Sequence, residues 1–408
     1  MQANVWKYYL YHCFLNLQLW LPIWVIYLTE ERGLSLAQVT LIDVPFWLCI
    51  IFLQIPGAAI ADRWGRKPTL MAAAATLSLA IVLFGLAASF WLILGSYLIW
   101  GIGFSLLYGT ESAFIYDSLK AEGRESEYPK VYGRGWAVAM AATLVGTLLG
   151  APVAAATSLP FPIVLSGAIS ALAVLVALMF REPLPQVRTR QAMAYGEIIA
   201  ESLVLLRRDA HVRYAILFYG VITVGSIAPI FFFQPFLLEH GVGLGEVGVW
   251  QTPMRIAGIL GALVAHRLIA ALGERWTFYM MPVTLIVSYA LLATWDSIYA
   301  QIAFPIINFS VVLSQPTVTD YLNRRVPTEQ RATIVSLTNL IRSVVLIPSA
   351  PLLGLLADEA STSAAFAAGG IIVAAVGLPL LLLWLPAVGR GRVEEPVVPA
   401  GRVAPGGD

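Results

Sequence analysis

Residues 57–68 read GAAIADRWGRKP, and they lie between two long apolar runs. Four of the twelve are charged: Asp62, Arg63, Arg66 and Lys67. A hinge with this much charge is stable only where it meets water. The apolar runs on either side are long enough to require a different solvent. The reading of this stretch therefore depends on what surrounds it.

The surroundings are those of a membrane protein. The chain has 408 residues, of which 59% are hydrophobic and only 12% charged, and its mean hydropathy is +0.79. A soluble protein carries about 25% charged residues. Crossing a hydrocarbon core of about 30 Å takes about 20 helical residues. Twelve apolar segments reach that length, near 7–29, 36–60, 69–89, 91–117, 135–157, 160–180, 213–238, 245–272, 277–294, 297–322, 331–356 and 362–386. They are too long for barrel strands and their polar residues do not alternate, so they are predicted to be helices. The first is too long for a cleaved leader and lacks a small-residue cleavage site, which predicts a retained helix. Cys13 and Cys49 fall inside spans and read as small buried apolar side chains.

Counting the basic residues orients the chain. All the Lys and Arg except Arg32, Arg255 and Arg342 fall in one alternate set of loops and at the termini. Arg32 lies in the other set, and Arg255 and Arg342 lie within spans. Positive loops stay in the cytoplasm, so the hinge and both termini are predicted to be cytoplasmic in a multi-pass plasma-membrane protein. The basic residues are topological and give no reason to expect nucleic acid.

The chain also repeats itself. GAAIADR at 57–63 resembles GALVAHR at 261–267, an offset of 204. IDVPFW at 42–47 is echoed by WQTPMR at 250–255, pairing Asp43 with Gln251 and Trp47 with Arg255. YDSLK at 116–120 resembles DYLNR at 320–324, pairing Asp117 with Asp320. This predicts an all-α protein of two pseudo-symmetric six-helix bundles, 1–180 and 213–387. A cytoplasmic linker at 181–212 joins them, with an amphipathic surface helix over 191–208. A disordered Gly/Pro-rich tail follows at 388–408. Two similar bundles around one site suit a transporter, because rocking one against the other exposes the site to alternate sides.

With twelve spans and a repeat in place, the hinge resembles the loop between helices 2 and 3 of the major facilitator superfamily, known as motif A. The pattern reads here through Gly57, Ala61, Asp62, Arg63, Gly65, Arg66 and Lys67. The physical reading agrees. Gly57 and Ala61 share a helix face and permit close approach, Gly65 permits the turn, and Asp62 can face the positive end of a helix in the other half. Arg66 and Lys67 can reach a carboxylate, for which Asp117 is the candidate. The resemblance implies a latch that holds the cytoplasmic side shut. In the second copy His266 replaces the acid and the Gly-Arg-Lys portion is lost, which predicts no equivalent latch there. Tyr97 stands where many of the family's proton antiporters carry arginine.

Asp43, Glu111, Arg255 and Arg342 lie well inside spans. Each costs about 2.5–3.5 kcal/mol at a helix centre unless a partner or water compensates. Asp43 and Glu111 are the proton-coupling candidates, Arg255 and Arg342 their charge partners, and Glu111 is expected to pair with Arg342 when the cytoplasmic gate closes. His12 reads as a hydrogen-bonded packing residue rather than a proton relay. Asn16, Gln18, Trp47, Gln54, Tyr108, Gln251, Asn308 and Gln315 are candidate cavity-lining groups. No nucleotide, metal or cofactor site is expected. The expected function is alternating-access secondary transport by a monomer, with proton-coupled efflux of a small amphipathic or drug-like molecule as the first reading. Proton-coupled uptake of a metabolite is the alternative, and a non-transporting receptor on the same frame a more distant one.

Overall fold

The computed structural model describes residues 3–183, 206, 209–326 and 331–384. The segment expected to form the amphipathic linker helix, apart from Leu206, and the Gly/Pro-rich tail lie outside the described residues. Within them every regular element is helical, as hydrocarbon requires of a chain that must satisfy its own backbone. Eleven helical stretches are long and apolar enough to span a membrane. The twelfth crossing is the first, and it is broken. Helix α1 runs Ala3–Asn16, turns at 17–23 where Pro22 sits, and resumes as Trp24–Ile26 leading into Tyr27–Glu31.

The remaining crossings are α2 (Leu36–Leu41, then Val44–Trp64), α3 (Arg66–Leu86), α4 (Phe90–Leu107, then Thr110–Lys120), α5 (Tyr128–Ala156) and α6 (Pro160–Leu178). The second set is α7 (Ala210–Thr223, irregular turns, then Phe233–Glu239), α8 (Val247–Leu272), α9 (Glu274–Thr294), α10 (Ala303–Asn323), α11 (Arg331–Glu359) and α12 (Thr362–Ile372 through Leu378–Trp384). Helix α5 starts two turns before the apolar run does. Its first turns carry Tyr128, Lys130, Tyr132 and Arg134, a polar and aromatic opening that hydropathy does not register.

The first six crossings pack on one another, chiefly α3 on α6, α2 on α4 and α1 on α5 and α6. The last six do the same, with α8 on α10, α9 on α12 and α7 on α11. Helix junctions fix the repeat register. Gly65, with φ +99 and ψ 160, separates α2 from α3, and Gly273, with φ +81 and ψ 160, separates α8 from α9. The α3 and α9 helices have 21 residues each. Ser89 caps the N-terminus of α4, and Ser297 caps the short 3-10 turn that leads into α10. All these pairs are 208 residues apart. The likeness of GAAIADR to GALVAHR, four residues out of this register, is an apolar similarity one helical turn off.

The face of the bundle that carries Arg66, Lys67, Lys120, Arg324 and Arg325 is called the basic face here, and the opposite one the far face. Among the described residues, the hydrogen bonds between the two halves lie toward the far face. Asp358 at the end of α11 accepts from the N–H groups of Leu36 (2.9 Å) and Ala37 (2.8 Å), so a carboxylate caps the positive N-terminus of α2. Gln234 of α7 is buried, accepts from Val25 N (2.9 Å) and donates to Leu21 O (2.9 Å), bridging the broken part of α1. Gly354 of α11 packs on Thr40 and the backbone at Leu36, and Gly248 of α8 packs on the Thr147 carbonyl of α5. The far face is therefore shut.

Two outcomes follow. A Cβ at Gly57 would lie 2.5 Å from the Ser105 carbonyl of α4, whereas Gly95 has open space. Gly57→Val should therefore cost about 1–3 kcal/mol through overpacking, read as a lower melting temperature in detergent, while Gly95→Ala leaves it unchanged. Asp358→Ala removes charge-assisted bonds worth about 1.5–3 kcal/mol each. In a chain lacking Cys13 and Cys49, a cysteine at Thr40 should then react about tenfold faster with a membrane-impermeant maleimide, since tenfold corresponds to 1.4 kcal/mol.

Candidate functional site: a cavity open toward the basic face

Between the halves lies a cavity of about 500 Å³. Helix α1 contributes His12, Leu15 and Asn16, and α5 contributes Tyr132, Trp136 and Ala139. Gln315 of α10 comes from the other half, and α4 supplies Phe104 and Leu107 through Ser112. Helix α4 can do this because it breaks. Gly109 takes φ +79, a left-handed conformation that costs glycine little, and the helix restarts at Thr110 with Glu111 in its first turn. The break turns Glu111 toward α1 and gives its carboxylate a helix N-terminus to face.

Glu111 Oε2 lies 3.2 Å from His12 Nε2, with the two side chains 13% and 5% exposed. Their angle falls outside hydrogen-bond geometry, so Nε2 is close to an acid but not bonded to it. His12 also stands edge-on to Tyr8, ring centroids 4.4 Å apart. An acid and an imidazole at this distance on a cavity wall can hold or exchange a proton. His12 therefore packs among aromatic rings, as expected, and also stands beside an acid on the cavity wall.

A second cluster spans the seam nearer the far face. Helix α2 is interrupted at Ile42–Asp43, and Asp43 Oδ2 accepts from Trp47 Nε1 at 2.6 Å. The Arg342 guanidinium of α11 stands 5.0 Å from the Trp47 ring centroid, a cation–π contact, within electrostatic reach of Asp43. Arg342 thus sits with Asp43 and Trp47 in this state, while Glu111 sits with His12, each within its own group.

At the basic face Arg66 bonds Asp62 at 2.9 Å and stands 3.7 Å from Asp117. Lys67 and Arg66 donate their backbone N–H groups to Glu182 (2.7 and 2.6 Å), which caps α3. Asp62 has a 61% exposed side chain and Arg63 is exposed, and among the described residues neither forms an ion pair with the other half. The expected approach of Asp62 to a helix of the second half is absent from this state, as a latch released on an open face would be. The second half has a network of its own, contrary to expectation. At the register of 208, Arg66 corresponds to Glu274 and Asp117 to Arg325. Glu274 lies 3.0 Å from Arg324 and 3.5 Å from Arg325, and Arg324 also pairs with Asp320. The ion pair is present with its polarity reversed, and the one-turn error in register hid it.

The other expected lining residues divide. Asn16, Tyr108 and Gln315 line the cavity, with Asn16 also bonded to the His12 carbonyl at 2.8 Å. Gln18 bonds Leu15 O (3.0 Å) in the broken part of α1. Asn308 bonds Met254 O (2.8 Å) and fills the space above Gly258, so it serves helix packing. Gln251 is buried, and the side chain of Gln54 lies outside the described residues. Sequence reasoning missed Gln234, Asp358 and Glu182. Only Asp358 left a signal, because Ser35 and Gln38 form a capping box that marks the helix start it covers.

The profile described as Major Facilitator Superfamily matches residues 13–350. No curated protein sequence matches. Among solved structures, the nucleoside transporter NupG superposes with TM-score 0.76 at 12% identity, covering 94% of this chain and 98% of that one. A bacterial homologue of the human lysosomal transporter Spinster, inward-facing and unoccupied, gives 0.70 at 19%, covering 95% of each. A D-xylose–proton symporter gives 0.71 at 12%, covering 94% and 97%. The fold, the two latch networks and the profile match agree: this chain belongs to the major facilitator superfamily and is a multi-pass membrane transporter of that fold.

Proposed function

We propose that the protein is a proton-coupled secondary transporter that exports a small amphipathic molecule. Its moving bodies are residues 1–180 and 213–387, joined by the linker at 181–212. Both termini and the basic face lie in the cytoplasm of the cell membrane, as the positive loops indicate, and the protein works as a monomer. The observation that carries the proton coupling is the Glu111–His12 pair, 3.2 Å apart on the wall of the cavity. Aromatic walls from Phe104, Tyr108, Tyr132 and Trp136 suit an amphipathic solute.

In the described state the far face is sealed and the pair faces the cytoplasm. Closing the cytoplasmic side engages the latch at Asp62 and Arg66, breaks the Asp358 cap and brings Arg342 toward Glu111. Glu111 thus exchanges His12 for Arg342, and Asp43 loses Arg342 and becomes open to protons from outside. Uptake is the second reading, and one comparison favours it: a solved protein of the same fold is, by its own description, a proton symporter.

In proteoliposomes with an imposed pH gradient, Glu111→Gln should remove gradient-driven accumulation while leaving exchange of substrate across equal pH. Asp43→Asn should weaken gradient-driven transport by about tenfold or more, equivalent to 1.4 kcal/mol or more. Gradient-driven transport intact in both variants would refute the assignment. The sign of the gradient that drives accumulation separates export from uptake. Cysteines at 111 and 342 in a chain without Cys13 and Cys49 should crosslink only when the cytoplasmic side is closed.

A further inference from the structure

The intramembrane charges do not balance. Glu111 has His12, and Asp43 has Trp47 and Arg342. Arg255 of α8 has no carboxylate partner among the described residues, and its Nε is buried without a hydrogen bond. One turn earlier on the same face, Gln251 is 3% exposed and its Oε1 is likewise buried and unbonded. A guanidinium in hydrocarbon costs about 2.5–3.5 kcal/mol on insertion scales, and these two side chains leave that cost uncompensated.

Their position explains what they face. Gly248 rests on the Thr147 carbonyl of α5. Arg255 is seven residues further along, two turns or about 10 Å toward the basic face, and so on the same side of the helix. Two turns back from Thr147 along the antiparallel α5 lie Met140 and Ala139, and Ala139 and Trp136 line the cavity. Arg255 therefore stands on the side of α8 that faces α5, at the depth of Ala139, beside the cavity rather than among the residues that line it. The repeat sharpens the point. At the register of 208, Gln251 and Arg255 occupy the places of Asp43 and Trp47. The first half has a carboxylate meeting a donor, with Asp43 accepting from Trp47 at 2.6 Å. The second half has an amide and a guanidinium at those places, and no carboxylate.

Building on the transporter reading, we propose that Arg255 forms the binding site for an anionic group of the substrate, a carboxylate on an aromatic or apolar body. The guanidinium offers the planar pair of donors that a carboxylate accepts, with Arg255 Nε buried and unbonded; the unbonded Gln251 Oε1 is an acceptor and takes no part in holding the anion, and the aromatic wall of the adjoining cavity takes the body. The bound acid then stands where the second half lacks one of its own.

The test uses the purified full-length protein with benzoate, phenylacetate and indole-3-carboxylate, each against its neutral amide and with phenethylammonium as the cation, at matched ionic strength. Thermal stabilisation should favour the acids over their amides. Arg255→Gln should weaken acid binding by about tenfold or more, as expected for losing a charged hydrogen bond, and Arg255→Lys should retain part of it. Arg275→Gln, at an exposed site on the basic face, should bind as the unaltered chain does. Acids binding no better than amides, acid binding unchanged in Arg255→Gln, or no acid binding at all each overturn the site. Flux in proteoliposomes separates the two claims. Movement of neutral or cationic compounds alone leaves the transporter reading standing and removes the anion site. Acids that bind through Arg255 but never move with an imposed pH gradient leave the site standing and remove the proposal that the protein exports such a solute by proton coupling.

Discussion

A charge inside hydrocarbon must have a partner, and in a protein that opens alternately to two sides it cannot always be the same partner. That constraint organises the structure. Glu111 leans on His12. Arg342 reaches across the seam to the indole of Trp47, which itself holds Asp43. The groups that close the far face obey the same rule at lower cost. Asp358 satisfies two N–H groups at the start of α2, and Gln234 satisfies backbone in the broken part of α1. Helices break at 17–23, at Ile42–Asp43 and at Tyr108–Gly109, and all three breaks place an acid or free backbone where a partner in the other half or the cavity can meet it. Irregular backbone at this depth is tolerated because it is packed in protein or lines a cavity.

The two halves keep one architecture and distribute charge differently over it. Both turn between their second and third crossings on a glycine of positive φ, and both tie that turn to the end of the fourth crossing by an ion pair. In the first half the turn is basic and the helix end acidic, and in the second the signs are exchanged. Coulomb attraction is indifferent to which member carries which sign, so either polarity ties the turn within its half. The polarity matters only for what crosses the seam: the first half presents Asp62, an exposed acid, where the second presents none.

The fold was legible because hydrocarbon imposes so few solutions. Length, apolar content and the placement of Arg and Lys gave the crossings nearly to their ends. The first crossing, expected as one helix, is interrupted around Pro22, and α5 extends beyond its apolar run. The latch around Arg66 was legible as far as its ion pair with Asp117, because a glycine turn and a helix-end acid are local signals. The site was legible in part. Glu111 announced itself by being an acid in a span, but its meeting with His12 depends on the kink at Gly109, which fixes direction and leaves no trace in composition. The Glu274 network was hidden by a one-turn ambiguity: two apolar helix surfaces match about equally well at neighbouring turns, and only the helix junctions settle the register. Gln234, Glu182 and Asp358 act on backbone groups, so no pattern of side-chain types marks Gln234 or Glu182, and Asp358 is signalled only by the capping box at the helix start it covers.

The central claim is that the two faces open in opposition, with the sealed far face and the open basic face of this structure being one of two linked states. Spin labels at Glu31 and Ser363 report the far face, and labels at Arg63 and Arg275 report the basic face. All four positions are exposed, and each pair places one label on either half. Both distances would be measured by pulsed electron resonance in lipid nanodiscs across a pH titration. The account predicts that as the far-face distance lengthens the basic-face distance shortens in the same proportion of molecules. Two distances that lengthen together, or that vary independently, would contradict it.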